Sequence, residues 1–121
     1  MEESELRNPI KDKSFDFAIR MVKFYKFLSE EKREYVLSKQ ILRSGTAIGA
    51  LVREAINAES KADFIHKLGI AQKEADETCY WLELFHETDF INEKEFTSLH
   101  NDAVELLKIL RSIIISSKRN L

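Results

Sequence analysis

LRSGTAIGALVREA, residues 42–55, decides the architecture of this chain. Leu42, Gly45, Ile48, Gly49 and Val52, continued by Ile56, recur at three- and four-residue steps. At about 100° per residue, that spacing aligns them along one side of a helix as a buried stripe. Two members of the stripe are glycines, and each costs a helix interior about 1 kcal/mol relative to alanine. Propensity does not account for Gly45 and Gly49, whereas close approach of a neighbouring helix backbone does. The other side of the same helix carries Arg43, Ala47, Ala50 and Glu54, so a floor of two alanines lies between a cation and an anion. That face reads either as solvated surface or as a flat contact for another subunit through Ala47 and Ala50.

Composition sets the frame around this helix. A chain of 121 residues with 44% apolar and 33% charged side chains forms one domain with a real core, and disorder is excluded. No apolar run approaches the length of a membrane span, and the polar start MEESELRNPIKDK lacks the apolar core of a signal peptide. A cytoplasmic location is expected. The lone Cys79 has no internal disulfide partner and shares a helical pattern with Ala71, Ala75 and Leu82, so it is expected in the core.

The net charge of -2 gives the molecule no strong overall field for nucleic acid. Its distribution is uneven. Residues 13–28 hold Lys13, Arg20, Lys23 and Lys26 against Asp16 alone, and residues 36–58 hold Lys39, Arg43 and Arg53 against Glu54. Residues 59–91 reverse the sign, with Lys61, Lys67 and Lys73 against Glu59, Asp63, Glu74, Asp76, Glu77, Glu83, Glu87 and Asp89. The first two helices are basic and the third is acidic.

In chain order, residues 1–12 form a polar leader closed by Asn8-Pro9, residues 13–117 a single domain, and residues 118–121 a short basic tail. Ser14 is the expected N-cap of helix one, which runs to about Ser29. Phe15, Ala18, Ile19, Val22 and Tyr25 form one apolar stripe on it, and Phe17, Met21, Phe24 and Leu28 a second. Together they exceed what a bundle core uses, so the stripe Phe17, Met21, Phe24 and Leu28 is expected at a subunit interface. Helix two spans about Tyr35 to Asn57. Ser60 caps helix three, which runs to about Glu87 and brings Ala71 and Ala75 opposite Gly45 and Gly49 for close packing. Asn92 caps helix four, which continues to about Ser117 on a core face from Phe96 to Ile114. Three short connectors give an all-α, antiparallel up-down-up-down four-helix bundle.

Bundles of this kind house carboxylate-bridged metals, and Glu83-Leu84-Phe85-His86 has the Glu-x-x-His form. Its nearest analogue, Asp63-Phe64-Ile65-His66, lies on the same helix about 30 Å away at 1.5 Å per residue, so the pair builds no site. His100 approaches His86 across the last turn without an evident third ligand. Gly45 and Gly49 lack the lysine and hydroxyl of a phosphate loop, and no serine or cysteine has a recognisable base. No metal, cofactor or small-molecule substrate is expected, and an enzyme is the weaker class. Glu74 sits near apolar neighbours and is either an exposed carboxylate or a partly buried anion paired with Arg43 or Arg53. Arg20, Lys23 and Lys26 share a narrow polar arc, joined by Lys39 and Arg43 on helix two. The arc is either a solvated face or a patch that tracks phosphates.

The order Arg43-Ser44, Ile48-Gly49-Ala50, Glu54-Ala55, Asp63-Phe64, Leu68-Gly69-Ile70-Ala71, Glu74, Glu77 and Trp81-Leu82 resembles the four-helix bundle proteins encoded within bacterial 23S rRNA intervening sequences, the S23 ribosomal protein-like family. The resemblance covers about Ser14 to Ile91. It implies a cytoplasmic ring, a pentamer, and kinship with the accessory protein of diversity-generating retroelements. One departure is that Leu51 and Val52 stand where many members have Asn-Ile. The implied partners are further copies of the chain and RNA, the ribosome or a nucleic-acid-processing protein. The function expected is a non-enzymatic homo-oligomeric module binding structured RNA or a ribonucleoprotein. A structural interaction module without nucleic acid is the alternative, with a carboxylate and histidine metal enzyme more remote.

Overall fold

The computed structural model describes residues 8–119. Four long helices account for nearly all of them: α1 is Pro9–Lys26, α2 Leu37–Ile56, α3 Lys61–Glu87 and α4 Glu93–Arg119. A wider π turn, Phe27–Glu31, prolongs α1. The cross-helix pairs run in opposite directions along every adjacent pair of helices, which fixes the topology. Gly45 faces Met21 while Gly49 faces Ser14. Ser44 bonds Thr78 while Glu54 reaches back to Lys67. Glu83 meets His100 while His86 meets Glu93, and Arg20 meets Asp102 while Lys13 meets Glu105. The up-down-up-down bundle therefore closes α4 onto α1.

Local chemistry sets the helix ends. Ser60 Oγ accepts the Asp63 N–H at 3.0 Å to start α3, and Asn92 Oδ1 accepts the Glu95 N–H at 2.8 Å to start α4. The α2 start is capped differently. The Glu34 carboxylate accepts the N–H groups of Leu37 at 3.1 Å and Ser38 at 2.6 Å, placing an anion at the positive helix end. Two tight corners hold non-glycine residues at positive φ, Arg33 at 55° and Asp89 at 65°.

Helix one begins earlier than its sequence suggested. Asn8 is the N-cap, accepting the Lys11 N–H at 3.3 Å, and Pro9 occupies the first helical position, where a missing N–H costs nothing. Helix one thus takes up the last four positions of the expected leader. Positions 1–7 of that leader and 120–121 of the expected tail lie outside the described residues, while α4 itself reaches Arg119. Ser14 is an interior residue that is buried and donates to Lys11 O at 3.1 Å.

The buried line on α1 is Ile10, Ser14, Phe17, Met21, Phe24 and Leu28. Its alternating four- and three-residue steps are the 3.5-residue seam of helices packed side by side. Phe17, Met21, Phe24 and Leu28 are therefore core of the chain itself, not the subunit contact expected of them, and Met21 and Leu28 are 0% exposed. The surplus apolar face of α1 is the other stripe, with Phe15 51%, Ile19 41% and Val22 39% exposed.

The α2 stripe is also rotated from its expected position. Ile41, Ser44, Gly45, Ile48, Val52 and Ala55 are buried, whereas Leu42 and Gly49 are half-buried and Ile56 is exposed. Gly45 and Gly49 do allow close packing, but the neighbour is α1. A Cβ on Gly45 would lie 2.3 Å from Met21 Cγ, and one on Gly49 would lie 3.2 Å from the Ser14 carbonyl oxygen. Ala71 and Ala75 are fully buried on α3, where Thr78 Oγ1 pairs with Ser44 Oγ of α2 at 2.9 Å.

Candidate nucleic-acid interface

The last turns of α1, the connector that follows and the first turn of α2 meet at one end of the bundle. Lys23, Lys26, Lys32, Arg33 and Lys39 are all exposed there. Glu34, an acid within this cluster, has its carboxylate turned into the start of α2. Burial pushes its pKa up, but the backbone N–H groups of residues 36–38 and the Ser38 hydroxyl together outweigh that and hold it below the usual carboxylate value. Lys32 Nζ lies 5.7 Å from the centroid of the Phe27 ring.

Beside these cations an open cleft of about 790 Å³ runs between the end of α1 and the α3–α4 corner. Arg20, Lys23 and Lys32 line it together with Phe24, Phe27 and Phe90, and Asp89 and Glu95 lie at the same walls. Aromatic rings interleaved with flexible cations can hold a base by its face and a phosphate by its charge.

The five cations singled out in the sequence do not form one surface. Arg20 is engaged across the bundle: Nη1 donates to Asp102 Oδ2 at 2.6 Å and Nη2 to Ser98 Oγ at 3.0 Å. Arg43 lies on another face, donating to both Glu74 carboxylate oxygens at 3.1 and 3.2 Å and to Glu77. Trp81 Nε1 donates to the same Glu77 oxygen at 2.9 Å. The indole N–H, and after it Arg43, hold the Glu77 carboxylate below its usual pKa against the opposing push of burial. Those carboxylates raise the Arg43 pKa in turn. Glu74 is thus the paired anion of the two alternatives, and Arg43 is its partner. Both arginines serve the bundle, and Lys23, Lys26 and Lys39 keep their charge toward solvent. Among the described residues, none of these three lysines makes an ion pair.

A separate apolar groove follows the α1–α2 seam, lined by Phe15, Ala18, Thr46, Gly49, Ala50 and Arg53. Arg53 lies over the Phe15 ring at 5.3 Å. Ala50 is exposed in this groove and Ala47 is half-buried beside it, so the alanine face of α2 continues into the exposed Phe15, Ile19 and Val22 stripe.

The histidines are placed by the α3–α4 pairing. Phe96 lies between His86 and His100, its ring centroid 4.3 and 4.9 Å from theirs, while His86 Nε2 meets Glu93 at 3.1 Å and His100 Nε2 meets Glu83 at 2.9 Å. Asp63 serves the α3 cap and His66 is exposed. Among the described residues, no three His, Cys, Asp or Glu side chains gather where they would hold a metal ion. Cys79 is buried, and burial pushes its thiol up to about 11, far from a reactive thiolate. No helix among the described residues is long and apolar enough to cross a membrane.

Sequence reasoning passed over one basic surface. From Leu106 to Arg119, α4 contains Lys108, Arg111, Lys118 and Arg119 and no acid. Counting charges there, as was done for the first three helices, finds it.

A family model described as 23S rRNA-intervening sequence protein matches residues 7–112. The chain is also similar to a solved protein of unknown function from the S23 ribosomal protein family of Bacteroides thetaiotaomicron VPI-5482. The two are 58% identical, and the match covers 87% of this chain and 94% of that one with a TM-score of 0.86. Among curated proteins, none matches the chain.

Proposed function

The chain belongs to the 23S rRNA-intervening sequence protein family, and from that membership we propose that it is a non-enzymatic, homo-oligomeric helical module that binds structured RNA. The observation that carries the reading is the set of exposed cations Lys23, Lys26, Lys32, Arg33 and Lys39 at one end of the bundle, with Lys23 and Lys32 lining a cleft beside an exposed Phe27. Phosphate contacts supply most non-specific affinity for nucleic acid, and aromatic faces add base stacking. The family description, which names a ribosomal RNA element, supports RNA over DNA as the partner.

Self-association supports the reading in a second way. The Phe15, Ile19 and Val22 stripe beside Ala50 is apolar surface that a lone bundle leaves in water, and a second copy would cover it. Closed rings of copies repeat a modest basic patch, so weak contacts add by avidity. The pentamer implied by the family resemblance is the ring this reading adopts, in the cytoplasm where ribosomal RNA resides.

The test is a titration of a labelled RNA hairpin with wild type and with the variant Lys23→Glu/Lys26→Glu. The variant should bind on the order of tenfold more weakly and lower the slope of log affinity against log salt by about 2. Its helicity and oligomer mass should be unchanged, because both side chains are exposed. Equal affinity and equal slope would remove this end of the bundle from the mechanism.

A further inference from the structure

The C-terminal half of α4 carries bases with no acids among them. Residues 106–119 carry Lys108, Arg111, Lys118 and Arg119 without one carboxylate. Lys108, Arg111, Ser112, Ile115, Ser116 and Arg119 recur at three- and four-residue steps and line one shallow surface groove of about 360 Å³. They occupy a single solvent-facing side of the helix.

Like Lys23, Lys26 and Lys39, the cations of this face have no internal counterion among the described residues. Elsewhere Lys13 meets Glu105, Arg20 meets Asp102, Arg43 meets Glu74 and Glu77, and Lys67 meets Glu54. Among the described residues, Lys108, Arg111, Lys118 and Arg119 make no ion pair, and the next acid up the helix, Glu105, is held by Lys13 at 3.1 Å. Bases in a last helical turn ordinarily answer the helix dipole, which accounts for Lys118 and Arg119. It does not account for Lys108 and Arg111, because the dipole effect fades beyond the terminal turn.

We propose that this face is a phosphate-backbone contact for RNA, in which Lys108, Arg111 and Arg119 engage phosphates of one RNA stem. Ser112 and Ser116, small and hydroxyl-bearing, let the backbone approach between the cations and donate hydrogen bonds to it. The inference rests on the RNA reading above and adds a second contact to it. Since α4 runs antiparallel to α1, the face extends away from the Lys23 and Lys26 end, from Lys108 near the middle of α4 to Arg119 at its far end, about 20 to 40 Å along the bundle from Glu93 at 1.5 Å per residue. A stem long enough to span the bundle engages both ends at once, and its affinity exceeds that of either contact alone.

The chemistry selects nucleic acid over an anionic membrane. A helix that lies on a bilayer presents a broad apolar face to it, but here Leu110 and Ile114 are buried in the core and only Ile115 stands out among the polar groups of the groove.

The experiment titrates two fluorescein-labelled RNA hairpins, one with a stem longer than the bundle and one shorter, with the full chain across a range of salt. Vesicles of phosphatidylcholine and phosphatidylserine are titrated in parallel. The variant Lys108→Gln/Arg111→Gln should bind the long hairpin on the order of tenfold more weakly, with a salt slope lower by about 1.5. Arg119→Gln, at the helix end where folding is least at risk, should lower the slope by about 0.8. If both variants match wild type while Lys23→Glu/Lys26→Glu loses affinity, the α4 contact is wrong and the RNA reading stands. If wild type binds neither hairpin, both are wrong. Binding to the vesicles that exceeds binding to the hairpins, and that is lost in the same variants, would overturn the assignment to RNA.

Discussion

Replacing Gly45 by alanine isolates the contact on which the α1–α2 packing depends. A Cβ there would stand 2.3 Å from Met21 Cγ, 2.6 Å from its Sδ and 3.1 Å from its Cβ, so the methionine must move. It has nowhere to go, because Met21 is 0% exposed and Gly45 itself is buried. Overpacking of this kind costs about 1–3 kcal/mol, and the full burial of both partners places Gly45→Ala at the upper end. The better helix propensity of alanine returns about 1 kcal/mol, leaving a net loss of about 2 kcal/mol.

Two internal controls use the same substitution. At Gly49 the new Cβ meets only the Ser14 carbonyl oxygen at 3.2 Å, and at Gly69 it meets nothing within 4 Å. Gly49→Ala should change stability by under about 1 kcal/mol, and Gly69→Ala should stabilise by up to about 1 kcal/mol. Thermal and urea unfolding by far-ultraviolet circular dichroism, at one fixed protein concentration, reads all three. At about 4 °C per kcal/mol, the Gly45 variant should melt about 8 °C below wild type. Truncating Met21 to alanine in the same chain should make the pair less than additive by more than about 1 kcal/mol. A Gly45→Ala variant as stable as wild type would refute the close-packing argument.

The two stripes of α1 separate folding from assembly. Phe17→Ala should cost about 3–5 kcal/mol in unfolding experiments, whereas Phe15→Asp/Ile19→Asp should leave a folded helical protein whose mass by light scattering falls to that of the monomer. Acid titration tests the Glu77 cluster. A carboxylate with a lowered folded pKa stabilises above its unfolded value near 4.5 and loses that contribution as pH falls through the folded value, so Trp81→Phe should unfold at higher pH than wild type. Asn92→Ala removes the α4 cap and should cost about 1 kcal/mol, measured by urea unfolding.

The fold was legible because bundle signals are local. Ser60 and Asn92 cap where their spacing to Asp63 and Glu95 suggested, and Gly45, Ala71 and Ala75 are interior, with Gly49 half-buried. Asn8-Pro9 misled because the same dipeptide that ends a helix also starts one, and moving the start to Ser14 hid Ile10 and Ser14 as the first members of the buried seam. With the seam cut short, two neighbouring apolar stripes of equal periodicity could not be ranked, and the inward one was assigned outward. The partner of Gly45 was beyond reach for another reason: which helix enters its notch depends on the side chain of Met21, far off in the chain. Arg20 looked free for the same cause, since Asp102 reaches it only once the bundle closes, whereas Arg43 was one of the two partners expected for Glu74 and is the one it meets.

Native mass spectrometry of the full chain purified at low salt, without nuclease, tests the central claim most directly, because one spectrum reports subunit number and retained nucleic acid together. The proposed module should appear as a closed homo-oligomer, a pentamer, carrying RNA that ribonuclease removes and that rising salt strips away. A spectrum of bare monomer, unchanged by ribonuclease or by salt, would contradict it.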